Sequence, residues 1–352
     1  MLFRSLDITS LSESAIVDLP VMSKTDLMDN FDSIVTDTRV SRLLCEDHLE
    51  RSPGDDLLGE FQVVASGGSS GKRGVYVYGW EAWAICYASN IRFQARDWAR
   101  DPNLAGTPRV IGVVAASSPT HISAALSKTF SSGDNARHLF PVSLPLEAIV
   151  AGLNELQPTV LMGYSSFLPR LAVEAQRGRL RITPRRVIAI SEPLLPEGRR
   201  VVHETWGVPI ANGYGMSEGV FTGFCGHGVH LPDDVCIFEP VDAHGRPVGP
   251  GELSHHVLLT SLYNHAQPMI RYEITDQVTL IDGTWLVVGN TASRTKGLSM
   301  RNSRSAVERW RSLAPVRCVS ACRCRHAAAR RRRNRSGSTA RNLADTAACT
   351  AS

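Results

Sequence analysis

No stretch of the chain approaches the roughly 18 consecutive apolar residues of a membrane-spanning helix, and no apolar leader core stands at the N-terminus. These absences predict a soluble, cytoplasmic protein with no membrane partner. Without a secretion signal, the eight cysteines are not expected to form a disulfide framework. Cys45, Cys86, Cys225 and Cys236 are scattered, as in reduced cytosolic proteins, whereas Cys318, Cys322, Cys324 and Cys349 crowd towards the end. What is present is 43% hydrophobic content over 352 residues, enough for a sizeable core and two or three ordinary domains.

The net charge of +4 conceals a split. Residues 1–290 carry 20 Arg and 3 Lys against 32 acids, a net of −9. Residues 291–352 carry 14 Arg and 1 Lys against 2 acids, a net of +13. An acidic body and a basic tail are physically two objects. The tail is rich in Arg, Ala, Ser, Thr and Cys, with Arg330–Arg333 in a row, and cannot bury enough surface to offset its ordering entropy.

Residues 1–60 are polar and mostly helical in character, and Ser23 with Asp26 three residues on predicts a helix start. Trp80, Trp83, Ala84, Tyr87 and Ile91 recur at helical spacing and predict a core-facing helix. Apolar strands then alternate with helices: Val110–Ala115, Thr159–Met162, Arg186–Ile190 and Pro209–Asn212 as strands, with helices near His121–Phe130, around Ile149–Leu156, and at Phe167–Glu174 and Pro196–Trp206. Such alternation predicts an α/β fold, a layered, mostly parallel sheet with helices on both faces. Ligands in such sheets sit beyond the carboxyl ends of the strands, where Ser117-Ser118-Pro119, Gly163-Tyr164-Ser165, Ser191-Glu192-Pro193 and Gly213-Tyr214-Gly215 fall. From Val235 onward, short runs (Val235–Val241, Val257–Leu262, Met269–Tyr272, Val278–Ile281, Trp285–Val288) alternate with turns. They predict a small antiparallel β subdomain or distorted barrel.

Ser66-Gly67-Gly68-Ser69-Ser70-Gly71-Lys72-Arg73-Gly74 follows the strand-like Phe61–Ala65. Its glycines permit close backbone approach, and its hydroxyls, N–H groups and Lys72 or Arg73 suit phosphate oxygens. It is no Walker A loop: Ser66 replaces the first Gly and Arg73 the final Ser or Thr. A flexible Gly/Ser surface loop is the alternative for this segment taken alone.

Four segments in order carry a family resemblance. Ser66–Gly74 resembles the phosphate loop of the adenylate-forming superfamily, and Asn212–Glu218 is similar to its Tyr-Gly-x-Ser/Thr-Glu motif. Ser191-Glu192-Pro193 resembles the small-Glu-Pro turn of phenylacetate–CoA ligase relatives, and Pro268–Asp276 their Ile-Arg-Tyr-x-x-x-Asp segment. The likeness covers residues 19–282. It implies that Ser66, Gly67, Gly68, Ser69, Ser70, Gly71 and Lys72 hold the β,γ-phosphates of ATP. It implies that Ser191, Glu192 and Pro193 line the adenine, that Tyr214 and Gly215 flank it, and that Asp276 accepts from the ribose hydroxyls. Ser217 would touch the α-phosphate and Glu218 would coordinate Mg²⁺, making Lys72, Ser217 and Glu218 the catalytic group. All should converge on one cleft. Glu218 could instead be a surface carboxylate, Asp276 a turn residue, and Tyr164 or Phe167 either acyl-pocket lining or core.

The resemblance implies a large domain built from residues 1–60 (helical segment), 61–230 (nucleotide-binding core) and 231–289 (β subdomain). Residues 290–352 follow as a disordered basic tail. The family's Gly-Arg-x-Asp-Asp-like hinge and mobile C-terminal domain are not found after Asp276, so a frameshift is one reading of the tail and a nucleic-acid-binding arm another. Cys225 and His230 could donate two zinc ligands, but no Cys-x-Cys follows Asp276 at the implied distance and a closed site needs four. Gly215-Met216-Ser217-Glu218-Gly219 also satisfies the hydrolase G-x-S-x-G pattern, with Asp234 and His255 or His256 downstream. The expected activity is ATP-dependent conversion of a small or aromatic carboxylic acid to an acyl-adenylate, then transfer to coenzyme A. Such activity would be impaired without the C-terminal domain. A non-catalytic nucleotide-binding remnant and a basic-tailed nucleic-acid binder are the rival readings. The expected partners are the acid, ATP and CoA, with nucleic acid only through the tail; a homodimer is compatible with this.

Overall fold

The computed structural model describes residues 13–66, 73–100, 104, 108–130, 137–192, 194–208, 210–224, 229–281 and 284–290. All fall within one unit, Met1–Ser299. The expectations for the basic tail lie outside the described residues, as do those for Gly67–Lys72, Pro193 and Cys225.

Three helices open the fold: α1 Lys24–Asp29, α2 Phe31–Ile34 and α3 Arg42–Arg51. Ser23 caps α1 with a reciprocal capping box, its hydroxyl accepting from Asp26 N while its own N–H donates to the Asp26 carboxylate. A hairpin of β1 (Phe61–Ala65) and β2 (Val75–Gly79) follows, with Ala65 opposite Val75, so Ser66–Gly74 is its tip. β2 was not expected from the sequence. Its far edge is closed by buried amides: Val77 N donates to Gln267 Oε1 at 3.0 Å, and Asn264 Nδ2 to Val77 O at 2.9 Å.

The long helix α4 (Trp80–Arg100) turns Ala82, Trp83, Cys86 and Ser89 inward. Trp80, expected in the core, is 59% exposed and rests on Phe130, because the buried stripe is rotated from the one read in sequence. Next come β3 (Ile111–Ala115), α5 (Ile122–Phe130), β4 (Arg137–Pro141), α6 (Leu146–Leu156) and β5 (Val160–Tyr164). They are followed by α7 (Leu168–Gln176), β6 (Arg186–Ile190), α8 (Pro196–Trp206) and β7 (Ile210–Gly213). The five strands form a wholly parallel sheet in the order β4-β3-β5-β6-β7. Val114, Leu161, Val187 and Ala189 pack on one face against α6, α7 and α8. Ile111, Val160, Met162 and Ile188 line the other, joined by Trp98 of α4. Helices on both faces explain why these strands read as continuous apolar runs.

The remaining strands, β8 (Gly223–Phe224) and β9 (Val229–His230), β10 (Cys236–Val241), β11 (His256–Ser261), β12 (Tyr272–Ile274), β13 (Asp276–Ile281) and β14 (Thr284–Asn290), form two antiparallel sheets. The expected strand at Met269–Tyr272 begins only at Tyr272, since Arg271 has a left-handed φ of 47°. Met22 N donates to Arg271 O at 3.1 Å and Glu273 N to Met22 O at 2.9 Å, which ties the N-terminal segment to β12. A single core unites the early helices, the hairpin, α4, α5 and strands β10–β13.

Candidate functional site

Each small-polar cluster read from the sequence does lie at the carboxyl end of a parallel strand. Ile190 pairs with Gly213, which sets Ser191-Glu192 beside Tyr214. Ser191 holds a left-handed φ of 65°, uncommon for a residue with a Cβ. Glu192 Oε2 accepts from Ser166 N at 2.8 Å and its carbonyl from Ser165 Oγ at 2.7 Å, so the side chain is engaged by the neighbouring strand end. Phe167 is core. The Tyr164 hydroxyl accepts from Ala116 N at 3.0 Å, joining two strand ends.

Tyr214 donates to Asp276 Oδ2 at 2.6 Å, a contact that closes the gap between β7 and the start of β13. Burial, then the Asp276 charge, pushes the Tyr214 phenol well above its ordinary value, so it stays a donor at every working pH. At the hairpin tip, Ser66 N donates to Gly74 O at 2.9 Å and Gly74 N to Ser66 Oγ at 2.8 Å, drawing the loop's neck together. Ser217 Oγ lies 3.4 Å from Ala65 O, next to that neck. The structure therefore brings together Ser66, Tyr214, Ser217, Glu218 and Asp276. His121, not singled out in sequence, stands immediately before α5; burial and then the Arg73 charge hold it below the usual imidazole range.

Glu218 is buried and held by aromatic hydroxyls that sequence reasoning missed. Tyr76 donates to Glu218 Oε1 at 2.6 Å, and Tyr272 lies 3.2 Å from the same oxygen. Tyr78 donates to Ser217 O at 2.6 Å, and Tyr263 to Gly219 O at 2.7 Å. Burial is the leading cause that drives all four phenols upward. Two glycines make the room: a Cβ on Gly74 would stand 2.5 Å from the Tyr76 hydroxyl, and one on Gly219, at φ +88°, 2.1 Å from that of Tyr263. The one available signal was the alternation Val75-Tyr76-Val77-Tyr78, a strand pattern lying against the loop.

No family model matches the chain. Over 145 residues it is 30% identical to a phenylacetate–coenzyme A ligase of Pseudomonas putida, covering 38% of this chain and 32% of that protein. Over 139 residues it is 26% identical to the protein CapK of Staphylococcus aureus, covering 38% and 29%. A 2-hydroxyisobutyryl-CoA ligase in the postadenylation state, in complex with R3-HIB-AMP, superposes with a TM-score of 0.56 at 18% identity, covering 78% of this chain and 58% of the other. An open conformation of that ligase with 2-HIB-AMP and CoA gives 0.53 at 18%, covering 79% and 65%. The chain therefore shares the fold of these CoA ligases, and over the matched segment it is similar in sequence to a phenylacetate–coenzyme A ligase. The ligase-like match spans about a third of the length of the curated relatives.

The hydrolase pattern is set aside by the same geometry. After β7 a turn bridges Gly215 to Phe221, where a nucleophile elbow requires a helix. Asp234 pairs with Arg92, and His256 faces Glu273 at 3.6 Å. Among the described residues no group of three metal-ligating side chains is assembled. Cys225 and the His230 side chain, the expected zinc ligands, lie outside them. A cavity of about 360 Å³ between α7, α8 and the segment entering β6, lined partly by Gln176, Thr205 and Trp206, lies at the opposite ends of the strands. In the described residues, no helix is long and apolar enough to cross a membrane.

Proposed function

We propose that this ligase-like chain binds ATP with a divalent cation at the carboxyl ends of its parallel strands. There it would activate a carboxylic acid to an acyl-adenylate, with coenzyme A as the acyl acceptor. The observation that carries this reading is the hydrogen bond from Tyr214 to Asp276, made beside the buried Glu218 and the neck of the Gly/Ser-rich loop. The ligase structures with acyl-AMP that share the fold support it.

In this reading Tyr214 and Gly215 flank the adenine beside Ser191-Glu192-Pro193. Asp276 receives the ribose hydroxyls, and its bond to Tyr214 fixes base and sugar together. The loop from Ser66 through Lys72 receives the β,γ-phosphates. The acid's carboxylate oxygen attacks the α-phosphorus and pyrophosphate departs, while Ser217 contacts the α-phosphate. Glu218 fits a divalent cation: it is a buried carboxylate with one oxygen free of hydrogen bonds among the described residues, and such cations take oxygen ligands. When bound, the cation supplies charge for the phosphate oxygens. Residues 1–60, 61–230 and 231–289 are proposed as segments of one large domain, with 290–352 a separate tail.

The test is calorimetry of ATP with and without Mg²⁺. Glu218→Gln should remove roughly 1.5–3 kcal/mol of the Mg²⁺-dependent binding. Folded protein that binds no ATP would overturn the proposal.

A further inference from the structure

The two oxygens of Glu218 are not equivalent. Oε1 takes the Tyr76 hydroxyl at 2.6 Å and has the Tyr272 hydroxyl at 3.2 Å, while the two hydroxyls are 3.1 Å apart. Oε2 accepts no hydrogen bond among the described residues. Both tyrosines are almost wholly buried, and each is carried by a different element, β2 and β12. The carboxylate is thus gripped from two sides through one oxygen. We infer that Tyr76 and Tyr272 are positioning residues, holding Glu218 Oε1 so that Oε2 faces the divalent cation of bound ATP. This rests on the ATP-binding reading above.

The physical reason is orientation. A carboxylate with free torsions presents its two oxygens interchangeably and loses entropy on ligating a cation. One fixed by buried donors is ready to bind, and removing such supporting groups weakens metal affinity about tenfold or more. Tyr78 and Tyr263 donate to backbone carbonyls of the same turn, not to the carboxylate, and serve as internal comparison.

The experiment measures ATP affinity of the full chain with Mn²⁺ and with EDTA, together with the Mn²⁺ electron paramagnetic resonance spectrum of the complex. Tyr76→Phe should reduce the Mn²⁺-dependent gain in ATP affinity about tenfold. Its affinity in EDTA should stay within about twofold, and its Mn²⁺ spectrum should change. Tyr272→Phe, with the longer contact, should lose about threefold and provides the test if Tyr76→Phe does not fold. Tyr263→Phe should lower the melting temperature and leave the Mn²⁺ gain within about twofold. On a Glu218→Gln background, Tyr76→Phe should add little. If Glu218→Gln abolishes the Mn²⁺ gain while both phenylalanine variants keep it, the positioning role is wrong and the ATP site stands. If Glu218→Gln itself keeps the gain, both assignments fall.

Discussion

In the parallel sheet, Ser191, Glu192 and Tyr214 are set in place by backbone: they continue β6 and β7, whose register pairs Ile190 with Gly213. In the hairpin and β12, Glu218 is set in place by side chains, through hydroxyls 142 and 54 residues away in sequence. The buried residues of the sheet's largest apolar cluster include no tyrosine, whereas the hairpin's core contains Tyr76, Tyr78, Tyr263 and Tyr272. A group placed by backbone tolerates exchange of its neighbours' side chains. A group placed by hydroxyls depends on single oxygen atoms and on their protons.

The largest consequence of that difference is alkaline instability, to which the hairpin side contributes four raised phenols and the sheet side only Tyr214. The folded-state pKa values of Tyr76, Tyr78, Tyr263 and Tyr272 are raised above the ordinary value of 10.0. The unfolded chain therefore loses these protons first. The stabilisation is whole below pH 10 and is lost as pH rises above it, by about 1.4 kcal/mol per pH unit for each tyrosine. Urea titrations from pH 8 to 11 should show this slope, and Tyr78→Phe should remove one tyrosine's share of it. A slope unchanged in that variant would contradict the burial of its phenol.

The same contrast explains what could be read in advance. The strand Arg186–Ile190 and the helix Pro196–Trp206 lie where their patterns place them, because an apolar run between helices has one way to be buried. The strand ends are local, so Ser191 and Tyr214 were readable too. The tyrosine grip is not local: Tyr76, Tyr263 and Tyr272 come from segments that only the fold joins. The β4 strand has only partly buried or exposed residues and no apolar run to reveal it. Trp80 misled because one helical period fits two adjacent stripes, and only packing against the hairpin chooses between them.

Arg271 offers a smaller effect and sharpens the comparison from the other side of β12. Its guanidinium lies 3.2 Å from Glu239 and donates to the carbonyls of Val17 and Leu19, with the two side chains 10% and 15% exposed. Arg271→Met leaves the Glu239 carboxylate largely buried without its partner, a loss of about 3 kcal/mol. Urea denaturation at pH 7 measures it, and proteolysis near residues 17–22 should accelerate. The alkaline slope should be unchanged, since the four phenols keep their surroundings. A variant that also flattened that slope would mean that β12 and its tyrosine had moved.

The smallest expected effect lies at the start of the segment that Arg271 fastens. Ser23 Oγ accepts from Asp26 N at 3.1 Å and donates to Asp26 Oδ2 at 2.6 Å, while Ser23 N donates to that same oxygen at 2.9 Å. The Ser23 hydroxyl, followed by its N–H, holds the Asp26 carboxyl below its ordinary value. A depressed carboxyl stabilises the fold above its unfolded pKa, near pH 4, and that stabilisation is lost as pH falls through the folded value. Ser23→Ala removes the cap and should cost about 1 kcal/mol at pH 7. It should also return the Asp26 pKa towards its ordinary value, so the variant loses less further stability on acidification than the parent does. Thermal melts at pH 7 and pH 3 read both parts. Because the cap leads directly into Met22, which hydrogen-bonds to Arg271 and Glu273, coupling between Ser23→Ala and Arg271→Met would show that helix α1 and β12 are fastened as one piece. Strict additivity would place the cap's effect within α1 alone.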